Sequence, residues 1–533
     1  MNKKHLLNSS LSIFKKAYLC LFLASCFLYG AAQTIPISSV RVEEATRDLQ
    51  LLEKIPSNYS FNNRPFVCSK AIPLDSIYRW IDSTYFDKTQ LNGQVLNNKW
   101  ASIRVLPVAL LQQFNSKTPY GYNNGGFLKA SGFQQLTSMG VYARFGPLQI
   151  QLQPEIIWSQ NNAYPITQQF GSITTPNRKQ VLPGQSNISL NVNALSVGIA
   201  SVNKWYGPGI NNALLMSNNA AGFLRAYIGT NRPLVTPIGS LEFTLSSGWL
   251  NEDSTTAFEN YAMQPTSKLN RSMYYNGLVI SFQPKWLKGF HAGMSRAYAV
   301  SDMNSAVYNN SSFVDHYLPI FSVIEKKSIL ANEDQKERDQ QVSLFLRCVL
   351  PKDHFEWYLE YGWNDHSVDT RDLFMGPGHS AAYLVGFKKI VPLPAQKAYL
   401  NFEVEYMRGE QLAENLVRDA GNWNWHGAYQ SFTHNNQLLG SAIGPGSNTF
   451  KIVSSYNKGW KRYLFSIENI SNDPQYHANS LWTDKVFGAG ADVSFKHFII
   501  SSQLKTVVQK NYGWELNNNI TNIFICLGIN YLF

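Results

Sequence analysis

From about Ile103 to the last residue, apolar and polar positions alternate with a period of two, the signature of strands with unlike faces. Leu148, Ile150 and Leu152 alternate with three glutamines. Phe355, Trp357, Leu359 and Tyr361 alternate with Glu356, Tyr358 and Glu360, and residues 400–406 place Glu403 and Glu405 opposite Leu400, Phe402, Val404 and Tyr406. Similar runs surround Leu241, Leu278, Val342, Tyr463 and Phe498. The chain ends on one, with Ile523, Ile525, Leu527, Ile529, Tyr531 and Phe533 on one face. Asn522, Cys526, Gly528 and Asn530 lie on the other, where Phe524 and Leu532 are the apolar exceptions. Apolar-out, polar-in alternation ending on an aromatic residue predicts a transmembrane β-barrel whose last strand, through Phe533, is read by the barrel assembly machinery. A large soluble β-sandwich or propeller would need far fewer outward aromatic side chains. Carboxylates facing lipid would each cost several kcal/mol, so Glu356, Glu360, Glu403 and Glu405 are expected in the lumen, with Arg144, Arg347 and Lys505 as counter-charges. At ~10 residues per strand plus turns and loops, residues 101–533 predict an all-β barrel of about 18 antiparallel strands, within roughly 16 to 20.

The first hundred residues read differently. Lys3, Lys4, Lys15 and Lys16 precede an apolar run from residue 17 to 29, then the small residues Gly30, Ala31 and Ala32, which predicts a secretory signal peptide over residues 1–32. A lipobox-like Leu23-Ala24-Ser25-Cys26 inside it is the alternative, with Cys26 acylated. The apolar run is short for a membrane-spanning helix. Residues 42–54 predict one helix ended by Pro56. A second is expected to start at Asp75 as N-cap, with Ile77, Tyr78, Trp80 and Ile81 as its apolar stripe. Residues 33–100 are therefore expected to form a small periplasmic bundle or a plug in the barrel mouth.

Composition adds to this picture. Aromatic residues make up 14% of the chain, as interface girdles require, whereas charged residues are only 15%, below the usual quarter. The net charge of +11 includes four signal-peptide lysines and no signal-peptide acid. The remaining surplus is scattered, without the basic patch of a nucleic-acid binder. Cys20 and Cys26 lie in the signal, and Cys68, Cys348 and Cys526 are too scattered for a disulfide framework or a metal site. No cofactor or metal is expected.

One segment stands out chemically. Trp205 and Tyr206 precede Gly207-Pro208-Gly209, a tight turn, followed by Asn211, Asn212 and further amides. Aromatic faces beside amide donors are how proteins hold sugars; the same residues also suit a girdle pair followed by an ordinary turn. This segment, with Leu224-Arg225 and Arg232-Pro233, resembles the Wzi-type outer-membrane capsule assembly proteins, in which an aromatic pair precedes Gly-Pro-Gly. Other stretches resemble that family in order: residues 293–297 ending in Arg296-Ala297, the acidic run 356–362, Gly376-Pro377-Gly378-His379, the return strand 383–389, residues 433–440 with His434 and Asn435, and Gly444-Pro445-Gly446. The chain departs from the family pattern at Tyr206, where tryptophan is more usual, and its loops resemble those of Bacteroidetes relatives. The resemblance implies a barrel with an N-terminal helical plug or bundle. It also implies a lectin-like, non-enzymatic anchor for capsular or other surface polysaccharide in the outer membrane of a Gram-negative bacterium, in contact with outer-membrane lipid. Trp205, Tyr206, Asn211, Asn212, Arg225, His434 and Asn435 are then the candidate glycan-binding residues, expected in outer loops. A porin or substrate-specific channel is the alternative.

Catalysis has little footing in the sequence. Gly378-His379-Ser380 lacks the glycine two residues after the serine that a nucleophile elbow needs. Inward Glu356, Glu360, Glu403 and Glu405 could supply a carboxylate pair as in glycosidases, but acids on adjacent barrel strands usually meet lumenal Arg or Lys.

Overall fold

The computed structural model describes residues 33–533 except 38–40, 90–92, 99, 165–175, 252–271, 301–302, 304–311, 322–326, 329–330, 333–337, 365–377, 379, 411–422, 425–431, 436 and 476. The signal segment with Cys26, and Gly376, Pro377 and His379, thus fall outside the described residues.

Eighteen antiparallel strands close into a barrel. They begin with β1 (Ala101–Asn115), β2 (Gly132–Phe145), β3 (Leu148–Leu152, resumed at Glu155–Ser159 beyond Pro154), β4 (Arg178–Leu182, resumed at Asn187–Val192), β5 (Leu195–Ala200) and β6 (Arg225–Thr230, resumed at Leu234–Thr236). Next come β7 (Gly239–Asn251), β8 (Ser272–Pro284), β9 (Phe290–Val300), β10 (Arg338–Leu350), β11 (Phe355–Asn364) and β12 (Ala381–Leu393). The wall is completed by β13 (Ala398–Arg408), β14 (Asn448–Lys458), β15 (Lys461–Asn472), β16 (Trp482–Phe495), β17 (Phe498–Lys510) and β18 (Ile520–Tyr531). β18 returns to β1, with Tyr531 opposite Val108 and Phe524 opposite Asn115. A short strand, Gln94–Asn97, pairs with the start of β1, and Gly93 N–H donates to Phe533 O at 3.0 Å, so the N-terminal region covers the lower end of this seam.

Alternation survives in three dimensions because each barrel strand meets lipid on one side and the lumen on the other. Trp357 and Leu359 are exposed, while Glu356 and Glu360 are fully buried. Outward rings gather at both ends. Trp100, Phe145, Tyr463 and Phe495 lie near the short turns, and Trp249, Tyr361, Trp363, Tyr383 and Phe450 near the long loops. Short turns mark the periplasmic end of such barrels and long loops the outside. Among the described residues no helix is long and apolar enough to cross a membrane.

The helical region sits at the short-turn end and enters the lumen. It contains α1 (Val42–Leu51), α2 (Leu74–Ile81) and α3 (Ser83–Thr89). The second helix starts two residues earlier than the sequence predicts, with Pro73 rather than Asp75 as N-cap. Pro73 has the extended backbone of an N-cap, and Asp75, in the first turn, pairs with Arg104 of β1 at 2.9 Å. Ile77, Tyr78, Leu49, Ile55 and Phe66 form an apolar core, into which the wall contributes Trp460 from the β14–β15 turn, Ile499 and the C-terminal Leu532. Tyr78 packs edge-on against Trp460 at 5.7 Å. Gly459, at φ +56°, lets the turn approach the helical region closely: a Cβ would lie 2.1 Å from the Asp82 carboxylate. The two apolar exceptions of the last strand thus have separate reasons: Leu532 belongs to this core, and Phe524 packs inward on Tyr120 at 5.4 Å.

Candidate functional site

The lumen is filled from both ends. Every residue of α1 except Glu44 is buried, although the helix carries Glu43, Glu44, Arg47 and Asp48 and has Arg41 as its N-cap. Each buried charge needs a partner. Arg47 Nε donates to Glu356 Oε1 at 2.7 Å, and Arg347 Nε donates to Glu356 Oε2 at 2.9 Å. Arg347 also holds Ser60 O (2.8 Å) and Gln50 Oε1 (2.9 Å). Lys388 bridges Asp48 of the helix and Glu403 of the wall, the latter at 3.0 Å. Tyr399 adds a hydroxyl to Asp48 at 2.8 Å. Of the expected counter-charges, Arg347 pairs with Glu356. Arg144 instead donates to Asn98 O at 3.3 Å, and Lys505 lies over the Tyr120 and Phe524 rings. Arg47, Arg64, Asp48 and Lys388 went unforeseen, because their partners lie far along the chain, 309 positions away for Arg47 and 145 for Arg64. No periodic signal connects such distant positions.

From the other end, the loop after β5 (residues 201–224) turns inward rather than outward. Trp205 and Tyr206 pair as an antiparallel bridge with Asn63 and Arg64 of the helical region. The Arg64 guanidinium lies 4.3 Å from the Trp205 ring centroid, a cation–π contact. Trp205 is 3% exposed and Tyr206 1%, so neither ring presents a face to solvent. Burial draws the Arg64 guanidinium down to about 10.

The Gly-Pro-Gly turn is held on both sides. Its carbonyls accept from the helical region: Pro208 O from Arg47 Nη2 and Gly209 O from Arg64 Nη2, each at 2.7 Å. Just beyond it, the N–H groups of Ile210 and Asn211 donate to Glu405 Oε2 at 2.7 and 3.1 Å, and Asn212 Nδ2 donates to Oε1 at 3.0 Å. The Tyr358 hydroxyl completes the Glu405 shell at 2.8 Å. Gly207 has φ +94°, and a Cβ there would meet Glu360 Oε2 at 2.6 Å. Left-handed backbone and a close carboxylate together require glycine.

A second loop, after β13, closes over the first. Ser217 N–H donates to Leu439 O at 2.6 Å and Ser441 N–H to Ala213 O at 2.7 Å. Tyr206, Leu214, Met216, Phe223, Tyr358 and Trp423 form a buried apolar cluster within the barrel. His434 accepts from Asn251 N–H through Nδ1 at 3.1 Å, and Asn435 N–H donates back to Asn251 O at 2.9 Å. Burial, with Arg225 nearby, lowers the His434 imidazole to about 4, so the ring is neutral at pH 7. Arg225 donates to the Val202 and Phe223 carbonyls.

Of the seven candidate glycan residues, Trp205, Tyr206, Asn212, Arg225 and His434 are thus buried, and Asn211 and Asn435 are half-buried. The structure brings the first five and Asn211 into the packed lumen, where they fix two loops against the wall. Of the four carboxylates expected inward, Glu356 is closed by Arg47 and Arg347 and Glu403 by Lys388, while Glu405 takes the loop amides and Glu360 accepts from the Ser343 hydroxyl at 2.7 Å.

Residues 105–458 match the family described as capsule assembly protein Wzi. No curated protein matches the sequence. Among solved structures, the chain is similar to Wzi of Escherichia coli, an outer-membrane protein involved in group 1 capsule assembly and a carbohydrate-binding β-barrel. That match has 11% identity, TM-score 0.57 and 96% coverage of both chains. Weaker likenesses are to OccK7 of Pseudomonas aeruginosa (9% identity, TM-score 0.40, 81% of this chain and 99% of that one) and to OpdQ of the same organism (10%, 0.41, 80% and 97%).

Proposed function

This chain belongs to the Wzi family of capsule assembly proteins, and from that premise we propose that it binds surface polysaccharide and retains it at the cell during capsule assembly, without enzymatic activity. The family and the barrel indicate a Gram-negative outer-membrane protein. On this reading residues 1–32 direct secretion, residues 33–100 serve as the plug, and Phe533 is recognised during barrel assembly. The observation that carries the reading is the filled lumen. A plug clamped by ion pairs from below and two interlocked loops above suit a rigid platform for a large ligand better than a passage for solutes. The carbohydrate-binding E. coli relative supports the ligand class. In our reading the glycan meets the long-loop end. Trp205, Tyr206, Asn211, Asn212, Arg225, His434 and Asn435 serve it by fixing the loops that form that surface.

The test is cell-bound against released polysaccharide in a deletion strain. Glycan made at normal yield but shed into the medium, and retained again on complementation, is the expected result. Unchanged retention would overturn the proposal. A steady open conductance of the purified protein in planar bilayers would favour a channel instead.

A further inference from the structure

The lumen is not filled evenly. A cavity of about 200 Å³ lies between α1 and the wall from β12 to β17. At the short-turn end it reaches Glu44, whose side chain is 62% exposed, beside Arg462. At mid-barrel it ends under Ile210 and Asn211.

Seven cations line this cavity. Lys388, Arg47 and Arg462 are matched by carboxylates at contact distance, Arg64 has Glu43 at 3.9 Å, and Arg41 donates to Gly459 O, Tyr399 Oη and Asn457 Oδ1. Lys451 and Lys505 have no carboxylate at contact distance among the described residues. Lys451 Nζ meets the Tyr122 hydroxyl at 3.2 Å, and Lys505 Nζ lies over the Tyr120 and Phe524 rings at 5.6 and 5.4 Å. The cross-strand neighbours of Lys451 are Glu405 and Glu468. Glu405 is committed to the loop amides, and Glu468 to the Tyr120, Tyr122 and Thr449 hydroxyls. Two ammonium groups in one confined space repel each other, and an anion between them would reverse that term.

The polar lining points the same way. The amides of Asn211, Asn401 and Gln503 and the Ser466 hydroxyl line the same space. Two lysines without a carboxylate at contact distance suit an anion, and the lining amides and hydroxyl suit alcohols. The volume would hold on the order of ten waters, room for about one sugar ring and not for an oligosaccharide.

We infer that this cavity binds a single anionic sugar unit, a uronate or a sugar phosphate, with its charged group between Lys451 and Lys505. The choice of a sugar rests on the polysaccharide reading above; the choice of an anion rests on the lysines alone. The experiment is calorimetric titration of the purified full-length barrel in detergent. The probes are D-glucuronate, D-glucose 6-phosphate, D-glucose, acetate and inorganic phosphate, against the parent protein and Lys451→Met/Lys505→Met. We expect at least one charged sugar to bind at least tenfold tighter than glucose and than its own free anion. The double variant should lose at least tenfold for that sugar while keeping heat-modifiable gel mobility. Should the double variant fail to fold, Lys505→Gln alone serves, with an expected loss of at least threefold. Which charged sugar wins separates uronate from phosphate. Glucose binding as tightly as both, the free anions matching both, no binding of any probe, or variants that bind like the parent would each overturn the inference. Loss of polysaccharide retention is measured on cells, so either claim can fail without the other.

Discussion

Glu356→Gln should release α1 from the barrel wall. Glu356 is fully buried and receives Arg47 Nε at 2.7 Å and Arg347 Nε at 2.9 Å. Both guanidiniums are buried as well, with side-chain exposures of 4% and 0%. Neutralising the acid leaves two cations in a poorly solvated site, and breaking one such buried pair costs about 3–5 kcal/mol. Arg47→Met is the informative contrast. It leaves Glu356 neutralised by Arg347 and orphans mainly Pro208 O, worth about 1–3 kcal/mol. The assay is amide hydrogen exchange over α1, since protection there reports the free energy of local opening. At 1.4 kcal/mol per tenfold, Glu356→Gln should lower protection by roughly two to three and a half decades, and Arg47→Met by roughly one to two. The strand amides of β15 to β17 should change little. An Arg47→Met effect equal to or larger than that of Glu356→Gln would refute the argument that charge imbalance, rather than lost contact, governs the plug.

Three further outcomes are expected. Gly207→Ala, at φ +94° and against Glu360, should cost about 1–3 kcal/mol in backbone strain alone, read as faster proteolysis of residues 201–224. His434 has a folded value of about 4 against 6.5, so the unfolded loop binds protons first. Its stabilising contribution is complete above pH 6.5 and falls as pH drops through 4, by about 3 kcal/mol in all at 1.36 kcal/mol per unit. Proteolysis of the loop after β13 should therefore accelerate between pH 7 and 4, and His434→Gln should flatten that dependence. Ile467, 56% exposed midway along β15, faces lipid, so Ile467→Lys should destabilise the barrel in vesicles by about 2–4 kcal/mol. An unchanged denaturation midpoint would show that face to be covered.

The wall was legible in the sequence because its two solvents impose a two-residue period. In the run from Phe355 to Tyr361, alternation alone says which side chains face lipid. The inward turn of the loop after β5 was not legible. Trp205, Tyr206 and the amides behind them suit a sugar site and a packed interior equally well. What decides between them is Arg64, far upstream, stacking on Trp205, and Glu405, far downstream, collecting the amides beyond the turn. Periodicity reports the environment along one strand. It carries no information about which distant segment shares the lumen, and the plug contacts are of that kind.

The seam between β1 and β18 has a consequence in time. Gly93 donates to Phe533, and Asn115 lies opposite Phe524, so the first strand waits for the last residues before either is satisfied. Arg41 likewise reaches Gly459 O across 418 positions of chain. Contacts this distant in sequence must overcome most of the chain's loop-closure entropy before they return anything, which makes them slow to form. Until residues 347–403 and Arg462 are in place the charged helix α1 lacks its counter-charges, and until β18 meets β1 the wall has an open edge. Barrel closure and plug docking are therefore expected late and together, and the unfinished chain must be kept from pairing its edge with another before its own terminus arrives.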